Sequence, residues 1–567
     1  MKKQINQFLS IGLVIVVFIC MTQCTTTSSK STAQAERQRI PSDAVAMTAP
    51  PAPAPPGNEN AMILKSVERH RLMVKPSMGN WHNEGRPRYN TEDYATIQEN
   101  EFKEVTKAPL STFSIDVDAA SYSNLRRFIQ NGQMPPKYAV RIEEMINYFD
   151  YDYPQPKGAQ PFEVITELSD CPWNKQHQLV HIGLQGKHIP TDNLPASNLV
   201  FLLDVSGSMN APNKLPLLKS SLKLLVNQLR AKDKVAIVVY AGAAGVVLPA
   251  TEGTNRQKIM EAMNQLRAGG ATAGAEGIQL AYKIAKDNFI KDGNNRVILA
   301  TDGDFNVGVS SDAELVRLIE KERESGVYLT VLGFGQGNYK DNKMQELADS
   351  GNGNHAYIDN ISEAKKVLVN EFGGTLFTIA KDVKLQLEFN PNKVQAYRLI
   401  GYENRLLAAR DFNDDKKDAG ELGAGHTVTA LYEIIPVGIK SDFLVSVDEL
   451  KYQHTTPNST AKSNELLTVK LRYKQPDATT SQKIEMAVNN QQQSSKSTSD
   501  NYRFSAAVAE FGLLLRDSKF KSDATYQQAI ALAKQAKGKD QNGYRMELIR
   551  MMEAIELLDK EVVAERE

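Results

Sequence analysis

The sequence predicts an α/β fold built on a doubly wound, mostly parallel sheet, flanked by a β-sandwich-like region and by helical segments. Between residues 196 and 378, strand-like apolar runs alternate with amphipathic stretches of helix length, the pattern of consecutive βαβ units. From residue 379 to 488, strand-like runs follow one another without helices, which is typical of an antiparallel sandwich. From residue 500 to 567, apolar residues recur at helical spacing and predict a carboxy-terminal helical region.

Length and charge set limits on what the chain can be. Its 567 residues exceed the roughly 250 to 300 that one hydrophobic core supports, so several domains are expected. Lys plus Arg and Asp plus Glu number 67 each, and a chain without net charge creates no field that would gather nucleic acid. We therefore expect no nucleic-acid partner, and any binding must be local.

The first 24 residues are typical of an export signal. Two lysines precede an apolar run over residues 8–19, which is shorter than the roughly 20 residues that a bilayer-spanning helix needs. Cys20 and Cys24 stand where a signal of the bacterial lipoprotein type, which this segment resembles, carries its acylated cysteine. A polar run follows Cys24, which makes it the predicted lipidation site. The expected location is the bacterial cell envelope, anchored by lipid and either periplasmic or surface-exposed.

Two segments separate this signal from the central domain. Residues 25–107 contain a Pro-rich stretch at 49–57 and few periodic apolar positions, so they predict a disordered tether. Residues 108–195 predict an amino-terminal module of helices and strands, with Asp118 as the N-cap of its first helix. Because the termini of α/β domains commonly lie close together, we expect the strands around 162–184 to pair with the later β region. The central domain would then be an insertion.

The central segment carries oxygen donors at the ends of predicted strands. Asp204, Ser206 and Ser208 follow its first strand, so that every second residue offers an oxygen. Thr272 lies on a Gly-rich loop that enters a helix, and Asp302 follows a later strand. In an open α/β sheet, ligands bind beyond the carboxyl ends of the strands. Hard oxygen donors of this kind suit a small divalent cation such as Mg2+, and a cation site is therefore predicted.

These five residues resemble the metal-dependent adhesion site of the von Willebrand factor type A domain, an Asp-x-Ser-x-Ser run with a distant Thr and a distant Asp. A lone Asp-x-Ser-x-Ser is more often a capped turn, but the full set in this chain order disfavours that interpretation. The resemblance implies that Mg2+, or else Mn2+ or Ca2+, binds there. It also implies that a carboxylate of a protein partner completes the coordination shell.

Residues 113–118, 141–149 and 302–309 are similar to a bacterial, often lipoprotein, subfamily in which an amino-terminal module precedes the A domain and a carboxy-terminal domain of unknown function follows it. We expect a non-enzymatic interaction protein, since no zinc-protease, Walker or nucleophile-elbow motif occurs. The alternative is a non-catalytic or regulatory subunit of an enzyme or remodelling complex. The oligomeric state is left open.

Overall fold

The computed structural model describes residues 92–270, 274–303, 312–337, 339–371, 377–444, 457–476 and 478–564. The predicted signal segment, the predicted lipidation site Cys24 and most of the predicted tether lie outside these residues. Sixteen strands are described: β1 Lys103–Glu104, β2 Leu110–Ser114, β3 Phe162–Cys171, β4 Asn174–Gly186, β5 Ser197–Asp204, β6 Lys234–Tyr240, β7 Ala244–Glu252, β8 Asn294–Thr301, β9 Val327–Phe334, β10 His355–Ile358, β11 Thr378–Phe389, β12 Val394–Ile400, β13 Gly420–Gly423, β14 Thr427–Pro436, β15 Glu465–Lys474 and β16 Gln482–Asn489.

Eleven α-helices are described in the same part of the chain: α1 Ala120–Gln130, α2 Ile142–Asn147, α3 Leu215–Val226, α4 Arg256–Gln265, α5 Gly274–Asp287, α6 Asp312–Arg323, α7 Asp341–Ser350, α8 Ile361–Lys365, α9 Asp500–Arg516, α10 Tyr526–Gln535 and α11 Tyr544–Ala564. A π-helical turn, Lys366–Asn370, continues α8. Among the described residues, no helix combines the length and the apolar character needed to cross a membrane.

The central sheet has the strand order β10-β9-β8-β5-β6-β7 and is parallel except for the edge strand β7. Strand β5 is buried on both faces, as its unbroken apolar run predicts. Leu199 and Phe201 pack into a core that includes residues of α3, whereas Val200 and Leu202 pack into another that includes residues of α5. Helices therefore cover both faces of the sheet, and the predicted doubly wound α/β fold is confirmed.

Two antiparallel sheets form the sandwich. Their orders are β1-β12-β14-β4-β3 and β13-β11-β15-β16, with β2 also pairing with β11. Aromatic rings join the sheets, since Phe162 lies 4.7 Å from Tyr473 and Phe389 stacks on Tyr397 at 4.0 Å between ring centroids. β4 precedes the central domain in sequence and pairs with β14, which follows it. The pairing predicted between the strands on either side of the central domain is thus confirmed.

Two features before the central domain differ from the sequence-based predictions. Residues 92–107, assigned to the tether, join the folded part: β1 pairs with β12, and the Asn100 amide donates to the carbonyl oxygens of Leu399 and Gly401. Asp118 is not an N-cap, because α1 is preceded by Ala119 without a side-chain cap. The buried Asp118 instead accepts a hydrogen bond from the His355 amide at 2.8 Å. In both cases the observed conformation is stabilised by hydrogen-bond partners that are distant in sequence, and a local sequence pattern cannot indicate them.

Helices α9 to α11 pack with α1 and α2 on the outer face of the β14-containing sheet. Within α9, Glu510 is fully buried, and its Oε1 accepts a 3.4 Å hydrogen bond from the Thr525 amide. Its Oε2 has no hydrogen-bond partner among the described residues. Burial raises the pKa of Glu510 from 4.5 to about 8. The folded state therefore binds more protons than the unfolded state between these two values.

We expect stability to fall as pH rises from about 4.5 to about 8, by up to about 1.4 kcal/mol per pH unit from this group. Glu510→Gln should remove this contribution. The free energy of unfolding of the variant, relative to that of the parent, should therefore be higher at about pH 9 than at about pH 5. Denaturant titration at both pH values measures the difference. Glu553→Gln, on a side chain that is 44% exposed, is the control. An unchanged pH dependence in Glu510→Gln would contradict the assignment.

Candidate metal centre

The two predicted aspartates meet at one edge of the central sheet. Asp204 ends β5 and Asp302 follows β8, and these strands are parallel neighbours with Leu203 opposite Ala300. Neither aspartate exposes any surface. Two carboxyl groups buried near each other are costly unless hydrogen bonds or a cation compensate them.

Hydrogen bonds from three directions hold Asp204. Its Oδ1 accepts from the Ser206 amide at 2.8 Å, and its Oδ2 accepts from the Tyr240 hydroxyl at 3.1 Å and the Thr301 hydroxyl at 3.3 Å. Burial raises the pKa of Asp204, and the charge of Asp302 raises it further, whereas the hydrogen bonds from Ser206 and Tyr240 lower it. The carboxyl group is therefore fixed in place by neutral donors alone.

The serines lie next to this carboxyl group. Ser206 is buried and Ser208 is exposed at the start of a short 3-10 turn, Gly207–Asn210, and their hydroxyl oxygens are 3.0 Å apart. A tight turn after the strand accounts for this approach of alternate side chains. The structure thus brings three of the predicted ligands, Asp204, Ser206 and Ser208, into one cluster.

Thr272 lies outside the described residues, as do its neighbours 271 and 273. The loop that carries it nevertheless reaches the serine turn on its described side. The Gly269 amide donates to the Val205 carbonyl oxygen at 2.8 Å, and the Gly207 amide donates to the Gly270 carbonyl oxygen at 3.0 Å. The Gly-rich loop is therefore joined to the Asp-x-Ser-x-Ser turn, as the prediction of a shared site requires.

A lysine that sequence reasoning missed contacts Asp302. Lys214 precedes α3, and its Nζ donates to Asp302 Oδ2 at 2.6 Å. Both side chains are buried, with 10% of the lysine side chain and none of the aspartate exposed. No sequence pattern links the two, because they are 88 residues apart in the chain. The ammonium group supplies positive charge at the place where a cation is predicted.

The donors fit a hard divalent cation. Asp204 and Asp302 offer carboxylate oxygens, and Ser206 and Ser208 offer hydroxyl oxygens, the ligand types that Mg2+ and Ca2+ take. In the part of the chain that is described, no three His, Cys, Asp or Glu side chains are grouped so as to hold a metal. The site therefore depends on hydroxyls as well as carboxylates. A bound dication would polarise its waters and attract an anionic group.

Replacing Lys214 with Met tests this electrostatic arrangement. Without cation, the variant leaves Asp302 without its 2.6 Å ion pair, and loss of one partner of a buried pair costs about 3 to 5 kcal/mol. With cation, the repulsion between ammonium and dication is also removed. We expect a lower melting temperature in EDTA and a larger rise on adding Mg2+ than in the parent.

Differential scanning fluorimetry with EDTA and with Mg2+ measures both effects. Lys223→Met is the matched control. Lys223 lies on α3, which begins directly after Lys214, and the variant should melt like the parent under both conditions. A smaller Mg2+ response in Lys214→Met would show that the lysine supports cation binding instead of opposing it.

Three family profiles match the chain. That of the von Willebrand factor type A domain matches residues 198–370, one described as von Willebrand factor matches 88–181, and one described as uncharacterized protein YfbK, C-terminal, matches 374–558. The uncharacterized protein YfbK of Escherichia coli is 45% identical over 474 residues, which cover 82% of this chain and 81% of that protein. The chain belongs to the YfbK family of von Willebrand factor type A domain proteins. The type A domain indicates a role in protein–protein interaction.

Two further matches are more distant. The uncharacterized protein sll0103 of Synechocystis is 29% identical over 189 residues, 33% of this chain and 44% of that protein. A solved von Willebrand factor type A structure from Catenulispora acidiphila is 15% identical with a TM-score of 0.38, and the match covers 79% of this chain and 90% of that one.

Proposed function

We propose that this YfbK-family protein is a lipid-anchored, non-enzymatic protein of the bacterial cell envelope. Its type A domain binds a divalent cation, Mg2+ or else Mn2+ or Ca2+, and through it a carboxylate of a protein partner. The observation that carries the proposal is the cluster of Asp204, Ser206, Ser208 and Asp302 at the carboxyl edge of the central sheet.

Charge at the site favours an acidic partner. Asp204 and Asp302 would balance a bound dication, and the Lys214 ammonium group would leave one positive charge in excess. Ser208 is exposed, so the serine turn is open to solvent on that side. Mg2+ usually retains several waters in protein sites, and a partner carboxylate can displace one of them. Capture of an acidic group follows from this arrangement.

Affinity capture tests the function. The full chain, immobilised, is incubated with envelope extract of its own organism in Mg2+ or in EDTA, and bound proteins are identified. We expect a partner that is retained in Mg2+ and released by EDTA. Replacement of that partner's acidic contact residues by their amides should abolish retention. Retention that is equal in Mg2+ and EDTA would refute a cation-mediated contact.

The lipid anchor has its own support in the apolar run over residues 8–19 followed by Cys24. Metabolic labelling with a fatty-acid analogue tests it. Label in the parent and in Cys20→Ser, but not in Cys24→Ser, is the expected result. Label that persists in Cys24→Ser would place the acyl group elsewhere.

A further inference from the structure

A cavity of about 290 Å³ lies at the opposite end of the central sheet from the candidate metal centre. It is bounded by the beginnings of β8 and β10, the end of α7, and strand β13 of the sandwich. Arg296, near the start of β8, is six residues before Asp302, and six residues of strand span about 20 Å. The cavity is therefore separate from the cation site.

A buried guanidinium group lines this cavity. Arg296 is 2% exposed, and one of its terminal nitrogens donates to the Thr330 hydroxyl at 2.7 Å. Its Nε has no hydrogen-bond partner among the residues described, and burial lowers the pKa of Arg296 to about 10. A buried charged group without full compensation is costly, which makes this guanidinium a binding position for an anionic group.

A carboxyl group with an unused oxygen lines the same cavity. Glu421 Oε1 accepts a hydrogen bond from the Asn352 side-chain amide at 3.2 Å, whereas Oε2 is shielded from solvent and has no hydrogen bond of good geometry in the described structure. Burial raises the pKa of Glu421 to about 8, against the lowering effect of the nearby Thr378 side chain. Glu421 and Arg296 are close enough for each charge to shift the pKa of the other. Each nevertheless keeps an atom without a hydrogen bond, so the two groups do not satisfy one another.

The rest of the lining carries more acidic than basic charge. Arg405 pairs with three carboxylates: Asp349 at 2.7 Å, Asp116 at 2.9 Å and Asp118 at 3.2 Å. Asp418, which pairs with Arg323 at 2.6 Å, and Glu371 add two carboxyl groups, and Lys366 and Lys417 add two basic groups, so five carboxyl groups face three basic ones. A dianion would be repelled from such a lining, but a ligand that carries both charges would not.

We propose that this cavity binds a small zwitterionic amino compound of amino-acid size, with its carboxylate on Arg296 and its ammonium group on Glu421. Such a ligand supplies an acceptor for the guanidinium and a donor for Glu421 Oε2 at the same time. The volume lies at the lower end of the range for small-molecule sites, about 300 to 1,000 Å³, which suits a ligand of this size. The site is independent of the proposed cation-mediated function.

Titration calorimetry of the full chain tests the proposal, with the standard protein amino acids as probes and acetate, methylammonium and inorganic phosphate as controls. We expect one or more amino acids to bind, and the controls, which carry charge of one sign only, to bind at least about tenfold more weakly, since an amino acid makes charge-assisted hydrogen bonds at both ends. Arg296→Lys and Glu421→Gln should each weaken amino-acid binding about tenfold or more.

Folding of the variants is checked independently. Arg398→Lys makes the same change at another buried arginine, 2% exposed and paired with Glu433 in the sandwich, and should bind amino acids like the parent. Melting temperatures show whether each variant is folded, and Glu421→Gln keeps the proposal testable if Arg296→Lys does not fold. The proposal fails if the parent binds no amino acid, which is the result expected of a cavity that holds only water. It also fails if acetate binds as tightly, or if neither variant weakens binding.

Discussion

Asp204→Ala should lose the whole cation-dependent rise in melting temperature. At a cation concentration about 100 times the Kd, the parent should gain about 2.7 kcal/mol of stability, which a thermal melt resolves. Asp204 is fully buried beside the serine turn, and alanine offers the cation no oxygen there. In EDTA the variant should melt below the parent, because the Ser206 amide and the Tyr240 and Thr301 hydroxyls lose their acceptor. The response to Mg2+, Mn2+ and Ca2+ therefore separates ligand loss from unfolding.

A buried aspartate at the other end of the sheet provides the matched control. Asp233 is also fully buried and pairs with Arg230 at 2.7 Å, but it precedes β6 at the end of the sheet away from the serines. Asp233→Ala should lower the melting temperature and keep the cation response. Asp302→Ala should lose the response as Asp204→Ala does. A parent-like response in either site variant would show that the ligand assignment is wrong.

Arg126→Met should lower the free energy of unfolding by about 3 to 5 kcal/mol, the usual cost of breaking a buried ion pair. Arg126, on α1, is 1% exposed and contacts Asp359 at 2.5 Å, Glu363 at 2.6 Å and Glu547 at 2.9 Å. It also donates to the Tyr148 hydroxyl at 3.1 Å. The variant leaves Asp359 and Glu363 buried without their main positive partner.

The arginine also connects parts of the chain that are far apart in sequence. Asp359 and Glu363 belong to the end of the type A domain, and Glu547 belongs to α11. Denaturant titration measures the loss of stability, and Lys137→Met is the control, since its pair with Asp517 is exposed and worth under about 1 kcal/mol. If Arg126→Met loses no more stability than Lys137→Met, the ion pairs of Arg126 make no net contribution to the free energy of unfolding.

Local sequence patterns predicted secondary-structure elements closely where burial alone decides the residue types. Strand β9, Val327–Phe334, lies in the segment where the sequence predicts alternating strands and helices, because a strand buried on nearly all sides carries mostly apolar residues. The short strand β10, His355–Ile358, was missed. Its four residues are too few to show a period, and pairing with β9 stabilises it.

The sequence by itself determined the doubly wound sheet and the order of the predicted cation ligands, since strand ends and oxygen-bearing residues are local in the chain. Tertiary structure alone decided that Lys214 pairs with Asp302 and that Asp118 binds the His355 amide instead of capping a helix. It also decided that Arg296 and Glu421 line one cavity. These contacts join residues far apart in sequence, and their energies depend on burial and on partners that no local period encodes.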